Sequence, residues 1–139
     1  MAAALLAATA CTEPAGAQAG DAYAGTWAFQ TEPYGAGQRQ VAAVMSGVAI
    51  ITPAGGARYD IKLVAHEYIT QGAQSVLLTA RERCQGEVQE AQFNITCELA
   101  EPLEGYEPDN FLVQSGEADQ LVGVLTSAAS AQVTFTRVR

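Results

Sequence analysis

Cys84-Gln-Gly-Glu-Val-Gln-Glu-Ala-Gln-Phe-Asn-Ile-Thr-Cys97 is the stretch from which the rest of the chain can be read. Apolar or small residues alternate with polar ones on both sides of Glu90-Ala91, the period of a half-buried strand and not of a helix. If the two cysteines face each other across a hairpin, Gly86 opposes Ile95, Val88 opposes Phe93, and the turn is the two-residue Glu90-Ala91. Register, pattern and sulfur pairing then agree. Glu-Ala is a poor choice for such a turn, which favours Asn-Gly or Asp-Gly. A disulfide closing a loop of this size contributes up to about 3 kcal/mol in the chain-entropy model, and less where the hairpin is already local. A metal or redox pair is the weaker reading of Cys84 and Cys97, because the spacing is not Cys-x-x-Cys and no Cys/His cluster accompanies it.

The same period extends outward in both directions. Trp27 and Phe29 share one face of Tyr23–Thr31. Val41–Thr52 is β-branched and apolar, with a bulge or bend expected at Ser46-Gly47, and Pro53-Ala-Gly-Gly56 signals a turn. Tyr59, Ile61, Leu63 and Ala65 alternate with Asp60, Lys62, Val64 and His66. In Gln74–Arg83, Val76, Leu78 and Ala80 share a face. Phe111–Val113, Leu121–Leu125 and Val133–Val138 complete the series, while Pro102, Gly105 and Pro108 make Glu98–Asn110 a loop with at most one helical turn. Eight or nine short strands joined by short connections predict an all-β fold: a single antiparallel up-and-down barrel of about eight strands with one hairpin disulfide. A β-sandwich is the alternative. The faces opposite the apolar ones carry Asp60, Lys62, Asn94 and Glu98, which want water and not the apolar outer band of a membrane barrel.

Composition narrows the function. The 139 residues carry 7 Lys plus Arg against 15 Asp plus Glu, a net charge of −8. That balance disfavours nucleic acid, whose phosphates need cations, and an electrostatic grip on anionic lipid. Ala accounts for 27 residues and Leu, Ile, Val and Phe together for 30, so the chain folds around few large side chains.

Residues 1–10, Met1-Ala-Ala-Ala-Leu-Leu-Ala-Ala-Thr-Ala10, are apolar and end in small residues before Cys11. This resembles the cleavage region of a bacterial lipoprotein signal, although Ala8 stands where Leu is usual and no basic residue precedes the run. A plain Ala-rich leader is the alternative. The resemblance implies cleavage before Cys11, a diacylglycerol on its thiol, and a periplasm-facing place in the bacterial cell envelope, at the outer membrane. Lipidation also accounts for the cysteine left over when Cys84 and Cys97 pair. Residues 11–22, small and polar, then read as a flexible tether, and 23–139 as the barrel domain.

Gly25-Thr-Trp27 near the start and Val133-Thr-Phe-Thr-Arg-Val-Arg139 at the end resemble the calycin group of barrels: lipocalins, avidin-like proteins and small bacterial metalloprotease inhibitors. In that group a G-x-W in the first strand meets a basic residue of the last, closing the barrel. Carried over, Trp27 packs with Arg137, a structural and not a catalytic pair worth about 0.5–2 kcal/mol. The Thr-Asp-Tyr signature of lipocalins is missing, and one Trp is too few for an avidin-type biotin site.

Catalytic constellations are thin. The lone His66, followed by Glu67, has Thr70 where a zinc-protease helix needs a second His, and reads as a solvent-facing residue at a strand end. Glu101, Glu104, Glu107 and Asp109 read as solvating their loop more than as acid–base pairs or a calcium site. No catalytic residue, metal or cofactor is expected, and the chain is not read as an enzyme. The leading expectation is a lipid-anchored envelope barrel that takes a small apolar or amphipathic ligand in its mouth. A periplasmic protease inhibitor that uses residues 12–22 as a plug is one alternative. A structural or assembly lipoprotein with an envelope protein partner is another.

Overall fold

Strands whose side chains alternate in burial can satisfy both faces only by curling the apolar face inward. The computed structural model, which describes residues 21–35, 41–127 and 129–139, does this with a closed barrel. Its strands are β1 (Gly25–Thr31), β2 (Val41–Gly55), β3 (Arg58–Gln71), β4 (Gln74–Gln89), β5 (Gln92–Leu99), β6 (Asn110–Ser115), β7 (Gln120–Leu125) and β8 (Ala131–Arg137). Each pairs antiparallel with its neighbour in sequence, and β8 closes on β1. No sheet edge is left open along the cylinder.

The founding hairpin has the register its cysteines dictate. Cys84 pairs with Cys97, Gly86 with Ile95 and Val88 with Phe93, and a disulfide joins the two sulfurs inside the barrel. Glu90 and Ala91 take φ of 50° and 65°, so the unfavourable pair adopts the left-handed turn that the strands' twist demands. The hairpin overrides local preference here.

The bulge expected in β2 is absent, and Gly47 there, like Gly86 in β4, serves a different purpose. Pairing of β2 with β3 runs through Ser46 and Gly47 without a shift; the irregularity lies between Pro53 and Gly55, and the turn proper is Gly56-Ala57. A Cβ on Gly47 would sit 2.7 Å from the Phe29 ring, and one on Gly86 2.3 Å from the Phe93 ring. Both glycines are flat floor for an aromatic ring inside the barrel.

The interior is layered. Phe29, the middle of three inward residues on β1, forms a triangle with Phe111 and Phe135, with ring centroids 5.4–5.8 Å apart. These rings fill the middle of the cylinder. The outer face of β3 to β5 carries the charges: Asp60, Lys62, Arg83 and Glu98 are exposed. His66 is exposed too, against Thr79 at 3.0 Å, but within β3 because that strand continues to Gln71.

Candidate functional site

The two ends of the barrel are built from opposite chemistry. One end is sealed. The Trp27 indole N–H donates to the Tyr23 carbonyl at 2.8 Å, and the Arg137 guanidinium carbon lies 4.2 Å from the centre of the indole. Arg137 also donates to the Ala24 carbonyl and sits 3.4 Å from Asp119. Gly25 has φ of 134°, and a Cβ there would lie 2.5 Å from the Arg137 guanidinium, so the position suits glycine on both counts. Tyr23, Tyr59 and Phe93 pack beneath with centroids 4.4–5.9 Å apart. Asp21 fastens the entering chain: its carboxylate accepts the Tyr23 and Ala24 N–H groups, both at 3.0 Å, and the Tyr59 hydroxyl. Burial works against the Asp21 charge, but these donors and Arg137 outweigh it and leave its carboxyl below the usual range. The Tyr59 hydroxyl, desolvated and beside that carboxylate, is pushed up to about 12.

The opposite end is polar at depth. The inward face of β4 continues from Leu78 and Ala80 to Glu82, 2% exposed, before reaching Cys84. From β3 the inward series Ile61, Leu63, Ala65 continues to Glu67, part-buried. The connection from Ala100 to Asp109 folds over this end, burying Tyr106 and Asp109, the latter 1% exposed. Its hold is a short chain of hydrogen bonds. The Asp109 N–H donates to Glu82 Oε1 at 2.9 Å, and the Tyr106 hydroxyl to Asp109 Oδ2 at 2.6 Å. Tyr34, after β1, donates to Glu67 Oε1 at 2.7 Å. Glu82 Oε2 is buried and receives no hydrogen bond. Buried Thr31, by contrast, is satisfied, accepting the Met45 N–H at 3.0 Å.

Electrostatics follow from this burial. Glu82 is raised well above the ordinary carboxylate range, first by desolvation and then by the Asp109 charge. Asp109 is raised too, by desolvation against the help of the Tyr106 and Glu82 hydrogen bonds. Burial beside each other disfavours ionising both carboxyls at once. The Tyr34 and Tyr106 hydroxyls rise strongly, through burial and their carboxylate partners. Among the described residues no Lys, Arg or His forms a salt bridge with Glu67, Glu82 or Asp109.

The residues singled out from sequence fall as follows. Trp27 and Arg137 meet at the sealed end, and Cys84 and Cys97 form the disulfide. Cys11 lies outside the described residues, as do residues 1–20 of the expected signal and tether. Of the four loop acids, Glu101, Glu104 and Glu107 are exposed, but Asp109 is buried; the solvating role assigned to it is corrected, because its backbone and carboxyl are drawn inward by Glu82 and Tyr106. Glu82 was missed, although the signal was present: the series Val76, Leu78, Ala80 reaches Glu82 and then Cys84 at the same period.

Metal chemistry finds no donor set here. Among the described residues, the three potential ligand atoms close enough together belong to Glu82, Cys84 and Cys97, and the disulfide uses both sulfurs. A shallow groove on the outer face, between Ile50, Thr52, Lys62, Arg83, Gln85 and Glu98, is open to solvent. It sets Lys62 opposite Arg83 and Arg83 opposite Glu98, with no convergent chemistry.

The chain is thus a closed, eight-stranded antiparallel barrel with one sealed and one acidic end. Neither a protein-family model nor a curated protein sequence matches it. Among solved structures it is similar to a de novo designed fluorescence-activating β-barrel (TM-score 0.59, 14% identity, covering 84% of this chain and 94% of that one). It is also similar to the redesigned barrel mFAP1 bound to DFHBI (0.57, 16%, 85% and 95%). The third, EF1p2_mFAP2b bound to DFHBI, gives 0.58, 15%, 84% and 94%. At such identities the likeness is one of fold.

Proposed function

We propose that this barrel binds a small amphipathic molecule at its acidic end, and that it does so at a bacterial cell envelope, held there by a lipid on Cys11. The observation that carries the binding half is the asymmetry of the ends. A barrel that only needed closing would be plugged at both ends as it is around Trp27, with aromatic rings and with charges that find partners. Instead the second end buries Glu82 and Asp109, at a desolvation cost that stability alone gives no reason to meet. The phenylalanine triangle fills the middle, so the ligand is small and sits beyond it, beside Glu82 and Asp109. The solved barrels of similar fold that carry DFHBI are consistent with this use of the architecture. The anchoring half is supported by the small-residue run before Cys11 and by the odd cysteine that the disulfide leaves over.

Native mass spectrometry and thermal shift against a panel of small alcohols, amines, acids and neutral amides tests the binding half. Saturable binding with a rise in melting temperature is expected for at least one class. If every class leaves both mass and melting temperature unchanged at millimolar concentration, the reading falls. For the anchor, mass analysis of the product made in a bacterial host should show the diacylglyceryl adduct, absent from Cys11→Ser.

A further inference from the structure

We infer that the molecule held at the acidic end is an organic cation, an ammonium or amidinium group carried on a short apolar body. This deepens the binding reading above and rests on it.

The argument is a census of unused hydrogen-bonding capacity. The hydroxyls of Tyr34 and Tyr106 already donate, to Glu67 and Asp109. The Asp109 N–H already donates, to Glu82 Oε1. What remains at this end is lone pairs: Glu82 Oε2, buried and receiving nothing, and those of the tyrosine oxygens. A site with spare acceptors and no spare donors selects a ligand that donates. Glu82 and Asp109 meet here from β4 and the Ala100–Asp109 connection, and the charges of Glu67 on β3 and exposed Glu107 act on Asp109 from farther off. No cation among the described residues pairs with them, so the donor that relieves most is positively charged. The chain's net charge of −8 draws such a ligand in and repels a carboxylate or phosphate.

Access follows from how the end is covered. Ala100 donates its N–H to the Arg81 carbonyl at 2.8 Å, and Glu101 lies 4.0 Å from the Arg81 guanidinium. Past them, the connection is held over Glu82 by hydrogen bonds of Asp109 and Tyr106 and not by strand pairing. An incoming ammonium replaces the Asp109 N–H on Glu82 and frees the connection to lift. A bound cation favours the ionised carboxyls that burial disfavours, so binding releases a proton.

The test uses three probes of one shape: hexylamine, hexan-1-ol and hexanoate, titrated calorimetrically into the full chain near neutral pH in two buffers of different ionisation enthalpy. Hexylammonium is expected to bind about tenfold or more tightly than hexanol, the worth of one charge-assisted hydrogen bond, with hexanoate weakest. Its apparent enthalpy should differ between the buffers in the sense of proton release. Glu82→Gln should cut the preference for amine over alcohol about tenfold while hexanol binding persists. Glu98→Gln, which removes the same charge from the outer face, should leave the preference intact. Near-ultraviolet circular dichroism and Trp27 emission establish that each variant is folded. Equal binding of amine and alcohol, or a preference that survives Glu82→Gln in the folded protein, overturns the inference and leaves the binding reading standing. Binding of none of the three overturns both.

Discussion

Arg137 lies with its guanidinium carbon 4.2 Å from the centre of the Trp27 indole while its Nε faces Asp119 at 3.4 Å. One side chain from the last strand therefore ties the first strand to the β6–β7 turn. Replacing it with Ala removes a cation–π contact, packing over the indole and a partly buried ion pair. Arg137→Ala should destabilise by about 1–3 kcal/mol, and Arg137→Lys should recover less than half, because an ammonium cannot lie flat on a ring while donating in its plane. Urea titration followed by emission of the single, fully buried Trp27 reads both. Equal stability of Arg137→Lys and the parent would show that charge alone matters there.

The hairpin turn offers a gain. Glu90 and Ala91 both hold left-handed backbone angles, a conformation that costs a side-chain-bearing residue about 1–2 kcal/mol. Glu90→Asn with Ala91→Gly supplies the residues such a turn prefers, and the pair should stabilise by about 0.5–1.5 kcal/mol. Thermal unfolding is a sufficient readout.

Opening the disulfide should cost less than its loop length suggests. Cys84 and Cys97 face each other on adjacent strands that pair without help, so the unfolded chain loses little by being joined there. The Cys84→Ala/Cys97→Ala double variant should lose about 1–3 kcal/mol and retain the far-ultraviolet spectrum of the barrel.

Glycine 86 has no room to become alanine. The added methyl would meet the Phe93 ring at 2.3 Å and Ile61 at 3.2 Å. Phe93 is itself wedged against Tyr23 and Tyr59, so the ring has nowhere to go. Gly86→Ala should destabilise by about 1–3 kcal/mol, and pairing it with Phe93→Leu should restore part of the loss, a non-additivity that a double-mutant cycle measures.

The acidic end should make stability fall with rising pH. Glu82 and Asp109 hold protons in the fold at pH values where the unfolded chain, with ordinary carboxyls near 4.5 and 3.8, has released them. Their contribution is therefore complete below those ordinary values and is lost as pH rises through the folded ones, about 6 for Asp109 and about 8 for Glu82. Asp21 has the opposite sign, since its lowered carboxyl loses its contribution only on strong acidification. Melting temperature should thus decline from about pH 5 to about pH 8, with a slope of at most about 1.4 kcal/mol per pH unit for each proton. Glu82→Gln should flatten it.

The barrel was legible because alternation and the cysteine pair constrain each other: once residues 84 and 97 face across a hairpin, every side chain between them has a face. What alternation cannot report is the length of a strand past its apolar residues. Glu67 sits where the period runs on but the chemistry changes, so its carboxyl looks like the end of the strand. Glu82 lies inside a series that continues to Cys84 and is hidden because an acidic residue is rarely buried. Asp109 was hidden for a different reason. Its burial is decided by a partner 27 residues away, Glu82, and Pro102, Gly105 and Pro108 mark a loop without saying which of its side chains turn inward. Gly47 carries an ambiguous sign as well, since a missing side chain marks a bulge or a resting place for a ring, and only Phe29, its pairing partner on β1, decides between them.

Asp21, the first described residue, is fastened to Tyr59, and Arg137 lies over Trp27, so the chain enters and leaves at the same, sealed pole. A fusion partner or sensor chip joined directly ahead of Asp21 is therefore attached beside Trp27, at the pole opposite Glu82 and Asp109.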